Sequence, residues 1–133
     1  MKVTVTVTST QRIDGDSVTE TVQTFGEWEV TSRGMRLTYT EQTDGAQTTV
    51  QLMGERVHIR RKGECVAHWI LEEGASHPCP YQTPYGTLPF TITTKLIQNQ
   101  LHQNGGRLFL SYQLDAGSGT TELDIEILIK EVS

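Results

Sequence analysis

The chain has 133 residues, a formal net charge of −5 and 35% hydrophobic residues, with a pI near 5.3. This length suits one domain spanning 1–133, and the acidic balance argues against a sequence-independent grip on nucleic acid or an anionic membrane, both of which need clustered positive charge. No apolar run is long enough to cross a bilayer, and Met1-Lys2-Val3-Thr4-Val5-Thr6 lacks the continuous apolar stretch of a signal peptide; the expected compartment is the cytoplasm, with Cys65 and Cys79 as free thiols.

From the N-terminus onward, apolar and polar residues alternate at a period of two, which predicts strands near 2–12, 17–30, 35–42, 46–53, 55–61, 64–72, 86–101, 106–115 and 120–132. In the first, threonines separate Val3, Val5 and Val7. In the seventh, Pro89 and Thr91 separate Leu88, Phe90 and Ile92. In the last, Glu122, Asp124 and Glu126 alternate with Leu123, Ile125, Ile127 and Ile129. Most connections are short: Asp14-Gly15-Asp16, Ser32-Arg33-Gly34, Asp44-Gly45, Lys62-Gly63, Asn104-Gly105-Gly106 and Gly117-Ser118-Gly119 supply the positive-φ residues of tight hairpins. Sequential strands then pair as a meander. The expected fold is an all-β, up-and-down antiparallel barrel of eight to nine strands, closed by pairing the first strand with the last. The long connection Gly74–Pro84 holds three prolines, Pro78, Pro80 and Pro84, and is expected to be irregular.

The tract Thr83-Pro84-Tyr85-Gly86-Thr87-Leu88-Pro89-Phe90 leading into Thr93-Thr94-Lys95, the preceding Gly74-Ala75-Ser76, and Gly106-Arg107-Leu108 at the start of the penultimate strand resemble the YwiB-like family of small uncharacterised bacterial proteins. The resemblance runs hairpin for hairpin along essentially the whole chain. It implies a calycin-type, lipocalin-like barrel, and it brings no activity and no catalytic or binding residues to carry over. His77-Pro78-Cys79-Pro80 departs from the pattern.

If the first strand runs upward, turns 14–16, 43–45, 62–63 and 104–106 fall at the top, and turns 31–34, 54–55, 73–85 and 116–119 at the bottom. Inward side chains near the bottom are then Val3, Trp28, Met35, Leu37, Leu52, Leu71, Leu88, Leu114 and Leu123, with Trp69 at mid-height, a dry and packed end. Near the top they are Gln11, Glu20, Glu41, Thr48, Arg61 and Gln98, with Tyr39, Thr94 and Tyr112 below. This polar end admits two arrangements. In one, Glu20, Glu41 and Arg61 form a partly solvated ion-pair cluster that plugs a filled barrel. In the other, they rim a pocket whose deeper wall is Tyr39, Tyr112, Phe90 and aliphatic residues. The candidate ligand-binding residues are Glu20, Tyr39, Glu41, Arg61, Phe90, Thr94 and Tyr112.

Cys65, His68, His77 and Cys79 are metal-type side chains within fifteen residues, but positions i and i+3 of a strand face opposite sides, so Cys65 and His68 do not converge on one tetrahedral point. No metal and no cofactor are expected. Cys79 with His77 lacks a nearby cation to stabilise a thiolate, Glu20 and Glu41 face Arg61, which neutralises them as a glycosidase pair, and no glycine loop precedes a helix to hold phosphate. No enzyme is expected and no catalytic residue is assigned. Arg56, His58, Arg60 and Lys62 alternate on the outward face of the fifth strand, either as like charges that discourage edge pairing or as a patch for an anionic partner. The expected function is binding of a small, mostly apolar ligand; the alternative is a protein-interaction module on the outer sheet, with no particular partner protein indicated.

Overall fold

The alternating segments fold into one antiparallel sheet in the computed structural model, which describes residues 1–42 and 44–132. Thr43, in the expected turn 43–45, and Ser133, the last residue of the expected domain, lie outside the described residues. The strands are β1 (Lys2–Ile13), β2 (Asp16–Thr31), β3 (Gly34–Thr40), β4 (Gln47–Met53), β5 (Arg56–Lys62), β6 (Val66–Glu72), β7 (Ser76–Pro78), β8 (Tyr81–Thr83), β9 (Gly86–Leu88), β10 (Thr91–His102), β11 (Gly105–Asp115) and β12 (Thr120–Glu131). As expected, the first strand pairs with the last, from Val3↔Glu131 to Arg12↔Glu122.

The segment 74–84, expected to be irregular, is instead a broken strand leg that fills the seam of the barrel. Its lower half, β7, pairs with β10 (Ser76↔Thr93 to Pro78↔Thr91). Its upper half, β8, pairs with β6 (Val66↔Gln82, Ala67↔Tyr81) and with β9. Pro80 sits at the break, where no ladder hydrogen bond is needed from it. The following leg is broken too, at Pro89-Phe90 between β9 and β10. Joining the halves gives ten legs rather than eight or nine. An odd count would bring the first and last strands together parallel; ten legs make the closure antiparallel, as observed.

The extra leg reverses every later turn. Turn 103–104 lies at the bottom, where the Trp28 indole donates to the carbonyl of Gln103 at 3.2 Å, and turn 116–119 lies at the top. Leu114 and Leu123 are therefore inward but near the top, against the expectation. Leu88, in β9, is exposed rather than inward. Gln98 is also exposed, because the register slips between Thr94 and Leu96. One extra residue, Lys95, exchanges the two faces of β10, so that Ile92 and Thr94 point inward above the slip and Ile97 and Leu101 pack on the core below it.

Val3, Val5, Trp28, Leu37, Leu71, Leu108 and Leu110 fill the lower half of the interior, consistent with the expected dry end. Gly105 there has φ +120°, and a Cβ would meet the carbonyl oxygen of Ile129, so only glycine fits where β11 begins. The barrel is not equally tall all round. β1, β2, β11 and β12 have 11 to 16 residues, whereas β3 to β6 have seven each. β2 pairs with β3 only over Gly26–Thr31. Among the described residues its remaining part has no strand partner on the β3 side.

Candidate functional site

Above the packed half the strands enclose a cavity of about 410 Å³. Period-two alternation delivers its wall: Val7 and Ser9 from β1, Glu20, Val22 and Thr24 from β2, Tyr39 from β3, Thr48 and Val50 from β4, and Ile59 and Arg61 from β5. β6 adds Ala67 and Trp69, and β11 adds Tyr112 and Leu114. Six of the seven candidate residues, Glu20, Tyr39, Glu41, Arg61, Phe90 and Tyr112, line this space. Thr94 does not; it is buried beside Tyr112, its cross-strand partner. The deep wall is aromatic. Tyr81 stacks on Phe90 with ring centroids 5.5 Å apart, and Trp69 meets Tyr112 edge-on at 6.3 Å.

The polar residues gather at the top. Arg61 lies 3.7 Å from a Glu41 carboxylate oxygen, donates to Asp44, and reaches the Tyr81 hydroxyl at 3.4 Å. Thr48 donates to Glu41 at 3.0 Å, and the Ala46 N–H donates to Asp44 at 3.0 Å. That N–H, and then the Arg61 charge, hold the Asp44 carboxyl below its ordinary range. The expected trio of Glu20, Glu41 and Arg61 is thus replaced by Glu41, Asp44 and Arg61. Glu20 stands on the rising part of β2, exposed and without an ion-pair partner among the described residues. Burial, and next the Glu41 charge, push the Tyr39 phenol up to about 12. Burial raises Tyr112 as well, so both phenols are neutral at physiological pH.

Four buried side-chain polar atoms have no hydrogen-bond partner among the described residues: Arg61 Nε, Trp69 Nε1, Tyr112 Oη and Thr94 Oγ1. The first three belong to cavity-lining residues. Buried polar groups are normally partnered, and Tyr112 is only 1% exposed.

Sequence reasoning missed Tyr81 and Asp44. Tyr81 was part of the segment read as irregular, and Asp44 read only as a turn former. Trp69, expected inward at mid-height, lines the cavity. The four metal-type side chains go to separate places: Cys79 is fully buried at the seam, Cys65 is half-buried beside Tyr81, His77 bonds Glu72 at 3.1 Å, and His68 lies on the outer face with its Nε2 2.9 Å from Nδ1 of His58. Around that pair the basic stripe is partly tied down, with Arg56 at 3.4 Å from Glu72 and Arg60 donating to Gln51.

A family model described as a domain of unknown function, DUF1934, matches residues 5–127. The Bacillus subtilis (strain 168) protein described as the uncharacterized beta-barrel protein YwiB is 27% identical over 117 residues, covering 86% of this chain and 82% of the relative. The crystal structure of ywiB protein from Bacillus subtilis superposes with a TM-score of 0.90 at 25% identity, covering 99% of this chain and 92% of that one. The shared feature is the β-barrel.

Proposed function

The chain belongs to the DUF1934 family, and we propose that it is a binding protein for a small, mostly apolar ligand held in the cavity between Tyr39, Phe90 and Tyr112, with catalysis no part of its role. One observation carries this reading: the apolar cavity of about 410 Å³ is walled by residues whose Tyr112 hydroxyl and Trp69 indole N–H lack partners among the described residues. A barrel selected only for stability would fill this volume with side chains, because empty interior space costs stability. At its polar end the Arg61 charge is matched by Glu41 and Asp44. A calycin-like, lipocalin-like kinship and a cytoplasmic location belong to the same proposal. Among the described residues no helix is long and apolar enough to cross a membrane. The outer sheet supports an interaction module less well, since Arg56 and Arg60 are already partnered.

Native mass spectrometry of the protein purified from its own host tests the proposal. The expected result is a co-purifying small molecule that is lost on denaturation and restored on refolding with the extract. An unshifted mass, together with no binding of any apolar probe in titration, would overturn it.

A further inference from the structure

We infer that the cavity selects an amphipathic organic cation, with an apolar or aromatic body among the rings and an ammonium-type group near the opening. The inference rests on the ligand-binding reading above and adds the charge of the ligand. Three carboxylates, Glu20, Glu41 and Asp44, stand at the top of the cavity against one guanidinium, Arg61. Both of the nearer carboxylates are engaged with that guanidinium, so its charge is already matched. No lysine, histidine or second arginine lines the cavity among the described residues. An anionic ligand such as a fatty acid would meet an excess of like charge and no free cation. Arg61 Nε has no partner among the described residues, but it is one donor on a group whose charge is spent on its neighbours.

The remaining chemistry points the same way. Glu20 lines the cavity from the upper part of β2 and has no ion-pair partner among the described residues, which leaves a carboxylate for an incoming ammonium. Tyr39, Trp69, Tyr81, Phe90 and Tyr112 contribute five aromatic rings to the lining, and ring faces attract a desolvated cation as well as an apolar body. A carboxylate excess of this kind, interacting over a few ångströms at intermediate dielectric, is worth roughly tenfold in affinity between a cation and its neutral analogue.

Isothermal titration calorimetry with three probes of one body and different heads reads this directly: naphthylmethylammonium, naphthylmethanol and naphthoate. The ammonium is expected to bind about tenfold more tightly than the alcohol, and the carboxylate most weakly. The gap between ammonium and alcohol should narrow in high salt. In Glu20→Gln, an exposed position whose replacement is compatible with the strand, much of that gap should close; Glu41→Gln should act in the same direction if circular dichroism shows it folded. If the alcohol binds as well as the ammonium, or the carboxylate binds best, the charge inference falls while the apolar-ligand reading stands. If none of the three binds, the charge inference falls, and with an unshifted native mass and no binding of any apolar probe the apolar-ligand reading falls too.

Discussion

Two side chains of the cavity show how differently a buried polar group behaves with and without a partner. The Tyr112 hydroxyl is buried and unpartnered among the described residues, so it contributes a desolvation cost without a compensating bond. Tyr112→Phe is therefore expected to leave stability unchanged or to raise it by up to about 1 kcal/mol in urea denaturation. A loss of that size would instead reveal a bound water or ligand on the hydroxyl. Arg61 is the opposite case, engaged by Asp44, Glu41 and Tyr81. The Asp44 carboxyl is held low by the Ala46 N–H and then by Arg61. A depressed carboxyl contributes stability above its unfolded value, about 4, and loses it as pH falls through the folded value. In Arg61→Leu the Arg61 share of that contribution is gone. The wild-type advantage over the variant should be full near neutral pH and shrink below about pH 4, as read from paired denaturations. A difference that does not change with pH would remove Arg61 from the cluster.

Among the elements, the broken leg Ser76–Thr83 is the one held least by regular pairing. Three-residue ladders join it to β10 below and two-residue pairing joins it to β6 above, whereas β1 is paired along almost its whole length on both sides. Local opening follows the weakest ladder. Cys79 reports on it directly, since it is fully buried inside this leg and burial pushes its thiol up. With a thiol reagent in excess, the half-buried Cys65 should react first and Cys79 only when the seam opens. The Cys79 rate should then rise at denaturant concentrations below those of global unfolding. Equal reactivity of the two thiols in the native protein would show that the seam is not closed as described.

At the scale of the whole molecule, the barrel is a tall wall of β1, β2, β11 and β12 joined to a low wall of β3 to β6, packed below and hollow above. Trp28 closes the packed end, 2% exposed and bonded to the Gln103 carbonyl across the bottom. Trp28→Ala should cost about 3–5 kcal/mol of unfolding free energy, read by denaturant titration. A cost under about 1 kcal/mol would mean that the lower half is not packed around this ring.

The nine long strands were legible because each carries its own period-two alternation, a property of the local chain in which successive side chains face opposite sides of a sheet. Tyr39, Glu41, Arg61 and Tyr112 could be assigned to the interior for the same reason, by counting along strands that run without slips. Phe90 came inward too, although it lies in the break of its leg. The rest depended on tertiary pairing. Ser76–Pro78 and Tyr81–Thr83 are too short to show a period, and they become strands only because β6 and β10 offer unpaired hydrogen-bonding edges on either side. The slip at Lys95 is likewise silent in the sequence, since Thr94-Lys95-Leu96 reads as ordinary alternation, yet it turns Gln98 outward. The partnership of Arg61 with Asp44 crosses two strands and a turn, and no spacing in the chain encodes it. Local alternation determined that the chain forms an antiparallel barrel and, except below the slip in β10, which face of each long strand turns inward. How many legs close it, and that the polar end is hollow rather than plugged, were decided only in the tertiary structure, because hydrogen-bonding edges can be satisfied only by the strands that lie beside them in space.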